Sequence, residues 1–371
     1  MKKSWKADMK KILILANSSG GLYDFRNELV LRLLKSYEVV VSLPDDVRTR
    51  ELAEEGCRVI HTAINRRGVN PKEDISLLLS YRRLIQDEKP DLVLTYTIKP
   101  NIYGGFCSRM ARVPYVETVT GLGSSFEKKG LFLHMIVAMY RTALKKAECI
   151  FFQNEENRQI FENYHIRGKQ TKLVSGSGVN LKRHTMEPYP EGDTTIFLYV
   201  GRMMREKGIE ELLAAAEALH SEKTQFWLLG YPDEDYEEKL QKAEKEGCIR
   251  LLTFDPDVHG YLAKASALVL PSYHEGMSNV LMEASATGRP VITTTVSGCK
   301  EVFEEGVTGF GCRKEDSEDL IRALEKFLAL PLEKRAEMGR KAREKMEREF
   351  DREKVADAYL QEINTILEKR G

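Results

Sequence analysis

The sequence predicts an α/β protein built from two doubly wound, Rossmann-like lobes facing each other across a cleft. Three observations carry that expectation. Short apolar, β-branched runs alternate with helical periodicity in both halves of the chain. At 371 residues the chain exceeds the size at which one hydrophobic core usually stops growing. Between residues 178 and 195 the alternation gives way to an aperiodic stretch containing Pro188 and Pro190, which reads as a linker. The expected domains are residues 1–182, residues 183–350, and a closing helix at 351–371 that packs back toward the first lobe.

In the first lobe, the unbroken Ile and Leu run at 11–16 marks a strand covered on both faces. Residues 17–21 read as a turn and 23–34 as a helix. Strands follow at 38–43 and 59–61, with a helix at 47–55 between them. An amphipathic helix spans 71–88 and stops before Pro90. The remaining strands are 92–95, 115–120, 150–153 and 172–174, with a helix at 102–111. In the second lobe a strand at 195–200 runs into a loop at 201–208 and a helix at 209–220. A strand at 225–229, a helix at 235–246, and strands at 249–252 and 267–270 come next. The stretch 269–301 then forms one further unit: a strand end, a loop carrying Glu275, a helix over 278–287, a strand at 291–295, and a second loop at 296–299. Val280, Leu281 and Ala284 give that helix its apolar face, and Gly288 with Pro290 stops it.

Formal charge balances at 57 basic and 57 acidic residues, but not evenly along the chain. Residues 1–190 carry 31 Lys and Arg against 21 Asp and Glu, whereas 191–371 carry 26 against 36. A basic first half fits an anionic surface. Zinc-finger spacing and an aromatic ladder on a basic strand are missing, so nucleic acid is not the expected partner. The six cysteines include no CxxC pair and read as free thiols of a reducing compartment. No apolar run approaches the ~18 residues that span a bilayer, so a cytoplasmic protein is expected, with any membrane contact peripheral. Residues 126–147 offer such a contact. Their apolar centre, from Leu131 to Tyr140, is flanked by Lys128, Lys129, Arg141, Lys145 and Lys146. A basic interfacial helix on the inner face of an anionic membrane is expected there, although a helix buried inside the protein fits the same pattern.

The chemistry concentrates in the second half. Glu275 and Glu283 are eight residues apart, one in a loop and one about a turn into the following helix, so both carboxylates can border one site. A helix amino end accepts phosphate through its unbonded N–H groups, and nearby carboxylates accept hydrogen bonds from sugar hydroxyls. The helix dipole alone also favours an acidic residue in a first turn, so Glu283 by itself does not decide the matter. Arg202 and Lys207 flank the turn after the 195–200 strand, where a guanidinium fork and an ammonium point charge can meet a diphosphate. Gly20 and Gly21, after the first strand, fit either a phosphate-cradling loop or an ordinary turn. No HxH pair or cysteine cluster calls for a metal, and no cofactor is expected beyond a sugar nucleotide as substrate.

These motifs resemble the retaining glycosyltransferases of family 4, which have the two-lobed GT-B fold. Gly201-Arg202 with Lys207-Gly208 is similar to that family's GR…KG element, and Glu275 through Glu283 to its E-x7-E element. The resemblance implies that Arg202 and Lys207 bind the donor diphosphate, that Glu275 faces the transferred sugar, and that Glu283 holds the ribose. It further implies donor contacts at Gly276, Met277, Ser278, Asn279 and Val280, a base-side loop at Val258, and an approach to the diphosphate by Asn17, Gly20 and Gly21. Residues 19–26, 99–104 and 117–123 are similar to the bacterial enzymes that extend saccharides on undecaprenyl diphosphate. Arg26, Lys99 and Thr120 are then candidate acceptor contacts. The strand end where many relatives carry a histidine holds Thr120, so no catalytic histidine is assigned. The implied activity is retaining transfer of a hexose or N-acetylhexosamine, with N-acetylgalactosamine first in order, from a UDP-sugar to a polyprenyl-diphosphate-linked saccharide. Other glycosyltransferases of the same assembly route are the implied protein partners. A UDP-N-acetylhexosamine epimerase of the same fold and a non-catalytic nucleotide-sugar-binding subunit are the competing readings.

Overall fold

The computed structural model describes residues 9–66, 70–122, 126, 130–233, 236–253, 255 and 257–370. Two compact units are present: Met1–Ser177 together with Arg352–Gly371, and Gly178–Asp351. The first contains β1 (Lys11–Leu15), α1 (Ser19–Leu34), β2 (Glu38–Leu43), α2 (Thr49–Glu54), β3 (Arg58–His61), α3 (Pro71–Glu88) and β4 (Leu92–Tyr96). A π-helical turn at Pro100–Gly104 leads into α4 (Gly105–Ala111), and β5 (Tyr115–Val119), α5 (Leu131–Leu144), β6 (Cys149–Phe152), α6 (Glu155–Asn163) and β7 (Thr171–Leu173) follow. The second unit runs β8 (Thr195–Met203), α7 (Ile209–Leu219), β9 (Thr224–Pro232), α8 (Glu237–Lys245), β10 (Arg250–Leu252), α9 (Val258–Lys264) and β11 (Ala267–Leu270). It continues through α10 (Asn279–Ala286), β12 (Val291–Thr294), β13 (Gly309–Cys312), α11 (Ser317–Leu328) and α12 (Leu332–Glu349), after which α13 (Arg352–Glu368) rejoins the first unit.

Both sheets are parallel. The first has strand order β3-β2-β1-β4-β5-β6-β7 and the second β10-β9-β8-β11-β12-β13. Successive residues of β1 serve opposite faces, Ile12 and Ile14 entering one apolar cluster and Leu13 and Leu15 the other. A strand buried on both faces needs helices above and below it, and the βαβ crossovers supply them. Helix α13 contributes Tyr359, Ile363 and Ile366 to the cluster on the Ile12 side. Its Tyr359 ring stacks on Phe151 at 4.1 Å, and its phenol meets Thr118 Oγ1 at 2.8 Å. Arg32 forms ion pairs with Glu353 and Asp357 on the same helix.

Residues 126–147 do not form the membrane contact expected of them. Among the described residues no helix is long and apolar enough to cross a membrane. Helix α5 has 14 residues, about 21 Å of rise, and its inward face is already committed. Ile136, Val137, Tyr140, Ala143 and Leu144 are buried, while Phe132, Leu133 and Met139 pack against the same cluster. Tyr140 meets Phe161 edge-on at 5.1 Å and Phe126 at 6.0 Å. Most of the apolar run is therefore spent on the first unit's own core, with Leu131 and Met135 left exposed. Lys128 and Lys129, two of the flanking charges, lie outside the described residues, as does Gly123.

Glu117, on β5, is wholly buried, and neither of its carboxylate oxygens has a hydrogen-bond partner among the described residues. Gly105 leaves just enough room for it, since a Cβ there would collide with Glu117 Oε1. Burial raises the Glu117 pKa well above the ordinary carboxylate value, so the native state holds the proton. The unfolded chain releases it near pH ~4.3. This group's contribution to stability is therefore complete below that pH and is lost as pH rises toward the native pKa. Glu117→Gln removes the titration. Calorimetry across pH 5–8 should show the variant gaining in midpoint over the parent as pH rises, by roughly 2 °C or more at the alkaline end.

Candidate functional site

In the second sheet, chain order reverses between β8 and β11, the two neighbouring strands whose crossovers run in opposite directions. Open parallel sheets bind ligands outside the carboxyl ends of strands at such a reversal. Of the sequence-predicted residues, Lys207, Glu275 and Glu283 belong to the segments that follow these two strands, and Arg202 stands near the end of β8 itself. Strand β8 extends through Arg202, which pairs in register with Tyr231 of β9, so Arg202 sits in a strand and not in the loop expected at 201–208. Met204 and a single 3₁₀ turn, Arg205–Lys207, then lead to Gly208 and α7.

The segment after β8 and the segment after β11 are locked together through their backbones. The Tyr273 N–H donates to Glu206 O at 2.9 Å, and Ser272 Oγ donates to the same oxygen at 3.3 Å. Tyr273 Oη donates to Glu211 Oε1 of α7 at 2.9 Å. Gly208 has a left-handed φ of 71°, and a Cβ there would drive into the Pro271 carbonyl. The loop after β12 adds a third brace, because Ser278 N–H donates to Gly298 O at 2.9 Å.

Within this frame the charged groups are paired. Lys207 Nζ lies 2.6 Å from Glu275 Oε1, with the two side chains 23% and 15% exposed. Arg202 Nη1 lies 2.9 Å from Asp233 Oδ2, just past the end of β9. Glu283 stands in α10, with Oε1 at 3.8 Å from Nε2 of the buried His184. Gly276, Met277 and Ser278 make up the loop running into α10, with Met277 and Ser278 buried. Asn279 and Val280 open the helix. Ser278 stands at the N-cap with extended backbone and no side-chain cap bond. Val258 is the first residue of α9 and not part of a loop. His259 behind it has Nε2 at 3.2 Å from Glu187 Oε1.

Two participants went unread in the sequence. Asp233 lies beyond a strand that runs three residues further than its periodicity indicates. His184 lies in the expected linker, which is in fact fixed within the second unit. Arg289, fully buried and pushed down to about 10 by desolvation, donates to the carbonyls of Glu187 at 3.1 Å and Pro188 at 2.7 Å. Arg343 donates to His184 O at 2.7 Å. The available signal was compositional: a histidine and a tyrosine within an otherwise polar, Pro-punctuated stretch.

In the first unit the corresponding reversal falls between β1 and β4. Asn17 follows β1, but Gly20 and Gly21 form the first turn of α1 and not a glycine loop. Ser18 Oγ accepts the Gly21 N–H at 3.2 Å, and Asp46 accepts the Ser19 N–H at 3.1 Å, so this helix end already carries an internal carboxylate. Arg26 donates to Gly21 O at 2.8 Å with its guanidinium 4.6 Å from the Tyr96 ring centre. Lys99 pairs with Asp74 at 2.8 Å, and Thr120 directly follows β5. Among the described residues, no group of three or more His, Cys, Asp or Glu side chains is placed to hold a metal ion.

Two family models match the chain: one described as glycosyl transferases group 1 over residues 183–345, the other as glycosyl transferase 4-like over residues 11–154. A curated relative from Campylobacter jejuni is 25% identical over 96% of this chain and 99% of its own length. Its name is N,N'-diacetylbacillosaminyl-diphospho-undecaprenol alpha-1,3-N-acetylgalactosaminyltransferase. This chain is related to glycosyltransferases. A sucrose-phosphate synthase from Thermosynechococcus elongatus superposes with a TM-score of 0.80 at 20% identity, covering 97% of this chain and 100% of that one. The Anabaena protein HepE, solved with UDP-glucose, superposes with a TM-score of 0.79 at 19% identity, covering 96% and 99%. The likeness to these structures shows the GT-B fold.

The approach of Gly208 to Pro271 makes a direct prediction. Gly247 shares the left-handed backbone, at φ 80°, but a Cβ added there would meet nothing within 4 Å. Gly247→Ala should therefore cost only the backbone strain, about 1 kcal/mol. Gly208→Ala adds a collision with a carbonyl and should lower the thermal midpoint by at least twice as much, measured by calorimetry on the two variants.

Proposed function

We propose that the protein transfers a hexose or N-acetylhexosamine from a UDP-sugar to a polyprenyl-diphosphate-linked saccharide, with retention at the anomeric carbon. The observation that carries this reading is the pairing of Lys207 with Glu275 on the segments that follow β8 and β11 at the strand-order reversal, with Arg202 near the end of β8. N-acetylgalactosamine is the first candidate sugar, supported by the activity in the name of the Campylobacter relative.

Arg202 and Lys207 take the donor's diphosphate, whose oxygens replace the carboxylates of Asp233 and Glu275 as their partners. Glu275, released from Lys207, faces the transferred sugar. Glu283 accepts hydrogen bonds from the ribose, and Val258 lies on the base side. The amino end of α10, with Gly276, Met277, Asn279 and Val280, supplies backbone N–H groups to the phosphates. As the bond from sugar to phosphate lengthens, negative charge grows on the leaving oxygen, and two fixed cations stabilise that state more than the ground state. The acceptor hydroxyl attacks from the same face, its proton passing to the departing phosphate. Arg26, Lys99 and Thr120 serve the acceptor.

The test is incubation of the purified protein with a panel of UDP- and GDP-sugars and short lipid-diphosphate saccharides, with products identified by mass. One added hexose or N-acetylhexosamine from a UDP-sugar is expected. Arg202→Ala and Lys207→Ala should each lower kcat by about 10²–10³. Sugar epimerisation without acceptor, or full activity in Arg202→Ala, would overturn the reading.

A further inference from the structure

We propose that His184 is a positioning residue for Glu283, fixing the carboxylate that holds the donor ribose; the inference rests on the ribose role given to Glu283 above. His184 is 4% exposed and carries Nε2 to 3.8 Å from Glu283 Oε1, an ion pair when the ring is protonated. Glu283 is itself only 14% exposed, so solvent contributes little to setting its direction. The imidazole adds a polar nitrogen aimed at the carboxylate.

The turn that carries His184 is tied to the helix that carries Glu283. The His184 N–H donates to Asn180 O at 2.9 Å. One nitrogen of Arg343, on α12, donates both to His184 O at 2.7 Å and to Ala286 O, the last residue of α10, at 2.9 Å. The far side of the ring meets His259 edge-on, with centroids 5.6 Å apart and planes at 79°. His259 is held in turn, Nδ1 at 3.3 Å from Thr287 Oγ1 and Nε2 at 3.2 Å from Glu187 Oε1. Thr287 Oγ1 donates back to the Glu283 carbonyl at 2.8 Å, which closes a ring of contacts through α9 and α10. Glu283 is thus steadied from its side chain by His184 and from its backbone by Thr287.

A carboxylate aimed in advance gains more from each ribose hydroxyl than one that must be ordered on binding. The proposal therefore concerns discrimination between nucleotides with and without ribose hydroxyls, which a purely space-filling residue would not affect. The experiment measures binding of UDP and of 2′,3′-dideoxy-UDP to the full chain by calorimetry, for the parent and for His184→Phe, His184→Gln and Glu283→Ala, with thermal midpoints recorded alongside. The parent should bind UDP about tenfold or more tightly over the dideoxy form, the scale of a hydrogen bond to a charged group. Phe, a ring without a donor, should shrink that ratio to about threefold or less while leaving dideoxy-UDP affinity unchanged. Gln returns an N–H and should recover most of the ratio. Two results overturn the proposal while sparing the ribose role of Glu283: a ratio kept in His184→Phe but lost in Glu283→Ala, or equal weakening of both nucleotides in His184→Phe. A ratio kept in Glu283→Ala, or a parent that binds neither nucleotide, overturns the donor reading and this inference with it.

Discussion

Everything at the candidate site depends on how closely the backbone at Gly208 passes the carbonyl of Pro271. That approach brings the turn carrying Arg205–Lys207 against the segment after β11, and the bonds from Tyr273 and Ser272 to Glu206 O hold it there. Lys207 and Glu275 are 68 positions apart in the chain, yet they meet at 2.6 Å because neither supporting backbone can shift alone. Rigid elements place charged groups with a precision that a mobile loop lacks. The strand-order reversal supplies the opening, and the glycine makes its two sides meet.

The charges themselves are organised as pairs, each cation with one carboxylate. A half-buried ammonium without a partner would be costly, so the site stores its cations against Glu275 and Asp233. Such pairs contribute little net stability, because desolvation offsets most of the attraction. On the donor role proposed for them, their value lies in orientation: an anion that exchanges for the carboxylate finds the cation already in position.

Much of the fold was legible in the sequence because its signals are local. Helix α3 begins on Pro71 after the Asn70 cap and ends at Lys89, which takes a left-handed φ of 47° before Pro90. Strand β11, four buried apolar residues before Pro271, is equally plain. The errors arise where a tertiary contact overrides local preference. Gly20 and Gly21 resemble a loop, yet the Ser18 cap and the Asp46 carboxylate hold them in a helix. The apolar run of α5 reads alike for lipid and for a core, and only its burial beside Phe126 and Phe161 separates the two. The paired charges Arg202, Lys207, Glu275 and Glu283 could be picked out from spacing, but Asp233 and His184 could not. Asp233 meets Arg202 through strand pairing, and His184 meets Glu283 because Arg289 and Arg343 draw an aperiodic stretch inward.

The return of α13 to the first unit has a consequence for how the molecule is made. Tyr359, Ile363 and Ile366 fill one face of a sheet whose strands all lie before residue 178. On the ribosome those strands emerge first and must wait, with that face uncovered, while the whole of the second unit is translated. The second unit ends at Asp351, so all of it is synthesised before α13. Closure of the first unit therefore waits on α13, and a nascent chain stalled short of residue 352 leaves an apolar sheet face for a holdase to meet.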